Sequence, residues 1–117
     1  MTNEPRRRIV FSDRFERDIK RLRKKFKHIR PDLQPLIEQL EHGQTPGDQI
    51  QGVGLRAYKV RVRNRDIARG KSGGYRLIYY IRTVDSVVFV TMYAKSEQED
   101  VSIEAIKRIL REIETLE

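Results

Sequence analysis

Between Tyr58 and Arg63 the chain alternates without a break: Tyr58, Val60 and Val62 occupy one set of positions and Lys59, Arg61 and Arg63 the other. A period of two belongs to a β-strand, whose successive side chains point to opposite faces of a sheet. This stretch therefore demands a sheet with a buried apolar face and, on the other side of the same strand, three cations in line. A second run, Tyr75-Arg76-Leu77-Ile78-Tyr79-Tyr80-Ile81-Arg82, is apolar on both faces apart from its cationic ends. That is the pattern of a strand covered on each side. The connecting segment from Asn64 to Gly74 is rich in glycine and cations, and its Gly73-Gly74 pair supplies a turn. Arg56, Arg65, Arg69, Lys71 and Arg76 crowd this hairpin, with Asp66 as the acid among them. Such a cluster repels itself and calls for a polyanionic ligand.

The remaining segments supply cover for that sheet. A short strand, Arg8 to Phe11, precedes Ser12 or Asp13 as the cap of a helix. Phe15, Ile19, Leu22, Phe26 and Ile29 recur at steps of three and four, which predicts one amphipathic helix running to Ile29, with His28 at its C-terminal end. Its outer face is strongly basic and reads as solvated surface. A second helix begins around Pro31 and Pro35, buries Leu33, Leu36, Ile37 and Leu40, and stops at His42-Gly43. Gly43 to Leu55 reads as a loop. The last strand, Val87 to Ala94, is expected to carry Phe89, Thr91, Tyr93 and Lys95 on one face, and a final helix buries Ile106, Ile109, Leu110 and Ile113. The expectation is an α+β fold in the order β-α-α-β-β-β-α, an antiparallel sheet packed against an N-terminal helical hairpin and a C-terminal helix. Its 117 residues suit one domain, with residues 1–7 as a tail.

A formal charge of +8 points to nucleic acid, an anionic surface or an acidic protein as partner. The chain has no cysteine and only two histidines, His28 and His42, so neither a disulfide, a metal centre nor a small-molecule cofactor is expected. No apolar run has membrane-spanning length and no secretory signal is read at the start, which makes the cytoplasm the expected compartment and a membrane partner unexpected. Gly70-Lys71-Ser72 imitates the end of a phosphate-binding loop, but Arg65 stands where that motif needs glycine, and strands flank it on both sides.

Four pieces in this order, Tyr58-Lys59-Val60-Arg61-Val62, Gly74-Tyr75-Arg76-Leu77-Ile78-Tyr79-Tyr80, Tyr93-Ala94-Lys95-Ser96-Glu97 and Glu104-Ala105-Ile106-Lys107-Arg108-Ile109, resemble the RelE/ParE superfamily of bacterial toxins. The long loop through Gly70 is most similar to the HigB-type branch. The resemblance covers nearly the whole chain. It implies a microbial ribonuclease-like fold and the toxin of a type II toxin-antitoxin pair, an endoribonuclease that cuts messenger RNA on the translating ribosome and is neutralised by a cognate antitoxin protein. Carried over residue by residue, it implies a site of Lys59, Arg61, Arg76 and Lys95. Two positions depart from the pattern: Ser96 replaces an arginine after the final lysine, and Ser102 replaces a tyrosine at the start of the last helix. Tyr80, Tyr93 and Glu97 are the candidate substitutes. ParE-type relatives share the fold and poison DNA gyrase, so fold alone leaves two targets open. A non-catalytic basic module that binds RNA or protein is the third reading.

Cleavage through the ribose 2′-hydroxyl needs a proton acceptor, a proton donor and positive charge against the developing phosphorane. The expected assignment places Arg61 and Arg76 on the phosphate, Lys59 as base or as clamp on the 2′-oxygen, and Tyr93 or Lys95 as donor to the leaving 5′-oxygen. Glu97 is the rival base. Arg63, Arg65, Arg69 and Lys71 are expected to hold the RNA backbone without reading sequence.

Overall fold

The structure, a computed structural model, describes residues 6–65, 74–97 and 100–116, with side chains to Ile113 in the last helix. The elements are β1 (Arg8–Phe11), α1 (Asp13–Arg23), α2 (Ile29–Glu41), β2 (Asp48–Ile50), β3 (Ala57–Val62), β4 (Tyr75–Thr83), β5 (Ser86–Ala94) and α3 (Ile103–Leu116). They build an α+β fold around one five-stranded sheet in the order β1-β5-β4-β3-β2. The sheet is mixed rather than antiparallel throughout: β1 runs parallel to β5, Arg8 opposite Ser86 and Phe11 opposite Phe89, while the other pairs are antiparallel. The helical hairpin carries the chain away from β1, so the first strand is free to close the far edge against the last.

Each face of the sheet has its own core. On one side Phe15, Leu22, Leu33 and Leu36 of the helical hairpin pack on Tyr58, Val60, Val62, Leu77, Tyr79 and Phe89. On the other, Ile106, Ile109, Leu110 and Ile113 of α3 cover Ala57, Ile78, Tyr80, Val88 and Val90. The alternation of β3 is therefore realised as read, with its apolar set under the hairpin and its cations on the α3 side.

The predicted first helix is shorter than its stripe. α1 ends at Arg23, and Phe26 lies in a turn, its N–H donating to Leu22 O at 2.8 Å and its ring edge-on to Tyr75 at 5.6 Å. Continued helix would stack Lys20 on Lys24, Arg21 on Lys25 and Arg23 on Lys27, like-charge pairs that disfavour it. His28 consequently sits at the N-terminal cap of α2 and makes no side-chain capping bond there. His42 closes α2 as expected, its Nδ1 2.7 Å from Glu38 O.

The segment read as a loop before β3 contains β2, which pairs Gln49 with Tyr58. Gly47 makes this possible: φ is +98°, and a Cβ there would stand 2.5 Å from Lys59 O.

The largest departure lies in β5. Ile78 pairs with Thr91 but Tyr79 with Phe89, so one residue is extra and the strand bulges at Val90. Phe89 turns into the hairpin-side core and does not share a face with Tyr93. The cause is α1: Ser12 Oγ donates to Val90 O at 2.9 Å, and buried Asp18 accepts from Thr91 Oγ1 at 2.6 Å and from Met92 N at 3.1 Å.

Candidate active site

The hydrogen-bonding register assembles the site. Arg61 of β3 stands opposite Arg76 of β4, and Arg76 stands opposite Tyr93 of β5, one row across three strands. Lys59 lies one pleat away, opposite Ile78. Directly opposed side chains have Cβ atoms about 5 Å apart, and like charges so placed are destabilising without a counter-charge. The apolar stripe of α3 begins at Ile106; at this end of the face Arg61 is exposed and Arg76 half-buried, while Tyr93 is buried.

Asp100, in the segment leading into α3, supplies a counter-charge. Its Oδ1 accepts from Lys59 Nζ at 3.0 Å, from Tyr93 OH at 3.0 Å and from Val101 N at 2.8 Å. One carboxylate oxygen thus bridges β3 and β5 over β4. Donation from Lys59 holds the Asp100 carboxyl below its usual range, helped by Val101 N–H and Tyr93 and opposed by partial burial. Burial pushes the Tyr93 phenol up, and the hydrogen bond and charge of Asp100 add to this while Arg76 opposes it. Near neutral pH the pair is a carboxylate and a protonated phenol.

Lys95 follows β5 at the same end of the sheet, its backbone N–H donating to Gly74 O at 3.0 Å. Gly74, with φ +89°, fits because a Cβ would meet Val62 O at 2.7 Å; the turn into Tyr75-Arg76 depends on that close approach.

The other candidates are distributed differently. Arg63 is exposed just beyond β3. Arg65 is tied to α2, its Nε 3.3 Å from Asp32 Oδ1 and its N–H donating to Asp32 Oδ2 at 3.2 Å. Arg69 and Lys71 lie outside the described residues. Glu97 pairs with Lys25 Nζ, in the turn after α1, at 2.9 Å and with Arg21 of α1 at 3.7 Å. Tyr80 is buried in the core under α3. Ser102 caps α3, its Oγ accepting from Ala105 N at 3.1 Å. Asp100 escaped the sequence reading because an acid ahead of a helix reads as a helix-start residue, and its contact with Lys59 spans 41 positions.

A family model described as the RelE toxin of the RelE/RelB toxin-antitoxin system matches residues 10–115. The chain belongs to the RelE toxin family. Among RelE relatives, the mRNA interferase toxin RelE of Escherichia coli (strain K12) is 36% identical over 101 residues, covering 86% of this chain and 97% of the relative. The mRNA interferase RelE of Shigella flexneri matches with the same identity and coverage. The RelE match spans β1 to α3, so every residue of the row and Asp100 fall within it. No helix among the described residues is long and apolar enough to cross a membrane.

Proposed function

We propose that this RelE-family toxin is an endoribonuclease that cleaves messenger RNA on the translating ribosome, by attack of a ribose 2′-hydroxyl on the neighbouring phosphate. The observation that carries the reading is the Arg61–Arg76–Tyr93 row with Lys59 beside it: two guanidinium groups, an ammonium and a protonated phenol at one end of a sheet. Guanidinium forks suit phosphate oxygens, and fixed cations aimed at a developing phosphorane stabilise it where the charge appears. Arg61 and Arg76 hold the non-bridging oxygens. Lys59, an ion-paired ammonium in the free toxin, clamps the 2′-oxygen as it becomes anionic. Tyr93 donates its proton to the leaving 5′-oxygen, with Lys95 beside it as a further cation. The products are a 2′,3′-cyclic phosphate and a 5′-hydroxyl.

Arg63 holds the RNA backbone near the row. Arg69 and Lys71, outside the described residues, add cations to that contact. Arg65 serves it from just beyond β3, where Asp32 holds it. The cognate antitoxin, an acidic segment of it meeting the basic surface, is the protein partner.

Arg76→Ala tests the reading. The folded variant is expected to lose growth arrest on induction in bacteria, and the mRNA 5′ ends that map inside translated codons with the native toxin disappear. An Arg76→Ala toxin of full potency would remove the row from the site, and DNA damage with intact messages would point to gyrase.

A further inference from the structure

The row supplies cations and a proton donor but no proton acceptor, and the transesterification needs one. We infer that Asp100 is the general base of this toxin, taking the proton from the 2′-hydroxyl, and that the same carboxylate returns it to Tyr93 to complete the cycle. The inference rests on the cleavage chemistry proposed above and adds a residue to it.

Two features of the geometry and the balance of proton transfers carry it. Among the described residues Asp100 is the carboxylate that meets the row: its side chain is 60% exposed yet donors from two strands fix it, Lys59 Nζ and Tyr93 OH each at 3.0 Å. It is thus accessible to substrate and oriented, as a base must be. Its hydrogen bond to Tyr93 links the acceptor to the group that loses a proton. The proton count closes without a cofactor. As the 2′-oxygen bonds to phosphorus, its proton passes to Asp100. As the bond from phosphorus to the 5′-oxygen breaks, the Tyr93 proton passes to that oxygen. The protonated carboxyl then gives its proton to the tyrosinate across the existing hydrogen bond.

Among the described residues, the charged and titratable groups that face this carboxylate include Lys59 from β3 and Tyr93 from β5, with Arg76 of β4 beside Tyr93. In the free toxin Lys59 is the main cause of the depressed Asp100 carboxyl, which makes it a weak base. Substrate changes this. When the ammonium turns to the incoming 2′-oxygen and phosphate, Asp100 loses its strongest stabilising donor and becomes more basic where the proton is to be taken. Substrate binding and base activation are then one event.

The test is single-turnover cleavage of mRNA on programmed ribosomes by the native toxin and by Asp100→Asn, Asp100→Glu, Lys59→Arg and Arg76→Ala. Asp100→Asn keeps the size and the contact to Val101 N–H, and is expected to slow cleavage roughly 100- to 10,000-fold, the range of general-base removal, with half-saturation changed only a few-fold. Asp100→Glu restores at least about tenfold over Asp100→Asn, which separates loss of the carboxylate from loss of fold. A carboxylate base and a high-pKa phenol leave the native rate flat between about pH 6 and 8.5, and Lys59→Arg, which keeps the cation, stays flat and faster than Asp100→Asn. Asp100→Asn cleaving within a few-fold of native, no recovery in Asp100→Glu, or a native rate rising about tenfold per pH unit and abolished in Lys59→Arg would each overturn the inference; the last assigns the base to lysine. Arg76→Ala distinguishes the two levels: if it cleaves normally, the whole site falls, whereas if it fails while Asp100→Asn cleaves normally, Asp100 alone does.

Discussion

Lys59 and Arg61 are two positions apart on one strand and meet different surroundings. Arg61 stands opposite a second guanidinium in the β3–β4 register, and Lys59 reaches a carboxylate at 3.0 Å. The difference makes Asp100 visible in acid. Its carboxyl titrates below the ordinary 3.8 in the folded chain, so the stabilisation it contributes is complete above that value and disappears as pH falls through the folded pKa. The melting temperature of the native toxin is therefore expected to exceed that of Asp100→Asn at neutral pH, by a small margin because the group is largely exposed, and the two are expected to converge below about pH 4. Thermal melts across that range check it. The cations were legible in the sequence because they obey a period of two along a single strand. Asp100 was not, because nothing local distinguishes an acid that reaches back to β3 from one that merely favours a helix start.

At the scale of elements, α1 does more than cover a core. Ser12 at its cap and Asp18 in its middle hold the bulged backbone of β5, and that bulge sets which face Tyr93 occupies. Asp18→Ala leaves Met92 N–H without its acceptor and Thr91 without its partner, so unfolding by urea is expected to show a loss of about 3 kcal/mol. Cleavage falls with it, since Tyr93 lies one residue beyond Met92. A bulge of this kind has no sequence signature here: Val88-Phe89-Val90-Thr91-Met92 contains no glycine, and strict alternation put Phe89 on the wrong face. The end of α1 was hidden for the opposite reason, because the apolar spacing runs unbroken through the turn at Phe26. Periodicity reports which residues are buried, and it is silent about where the backbone changes direction.

Over the whole molecule, the two faces of the sheet divide the labour. The hairpin side is core, and the α3 side is core at one end and cationic at the other. With a formal charge of +8, association with RNA is expected to weaken steeply with salt. If Lys59, Arg61, Arg63, Arg76 and Lys95 each neutralise one phosphate, the slope of log K against log salt concentration is about −3.5 for single-stranded RNA, and Arg63→Ala reduces its magnitude by about 0.7. Binding titrations at several salt concentrations measure both. The α+β class and the order of the long elements were legible from hydrophobic spacing, but the parallel pairing of β1 was not, since a four-residue strand carries no record of its neighbour. That pairing has a consequence for synthesis. Arg8–Phe11 leaves the ribosome ahead of the other strands and lacks its β5 partner until Ser86–Phe89 follows, and Tyr93 and Asp100 come later still. A nascent chain therefore cannot assemble a working cutter before Asp100 has emerged, so the machine that builds this toxin is not exposed to it while that stretch is still being made.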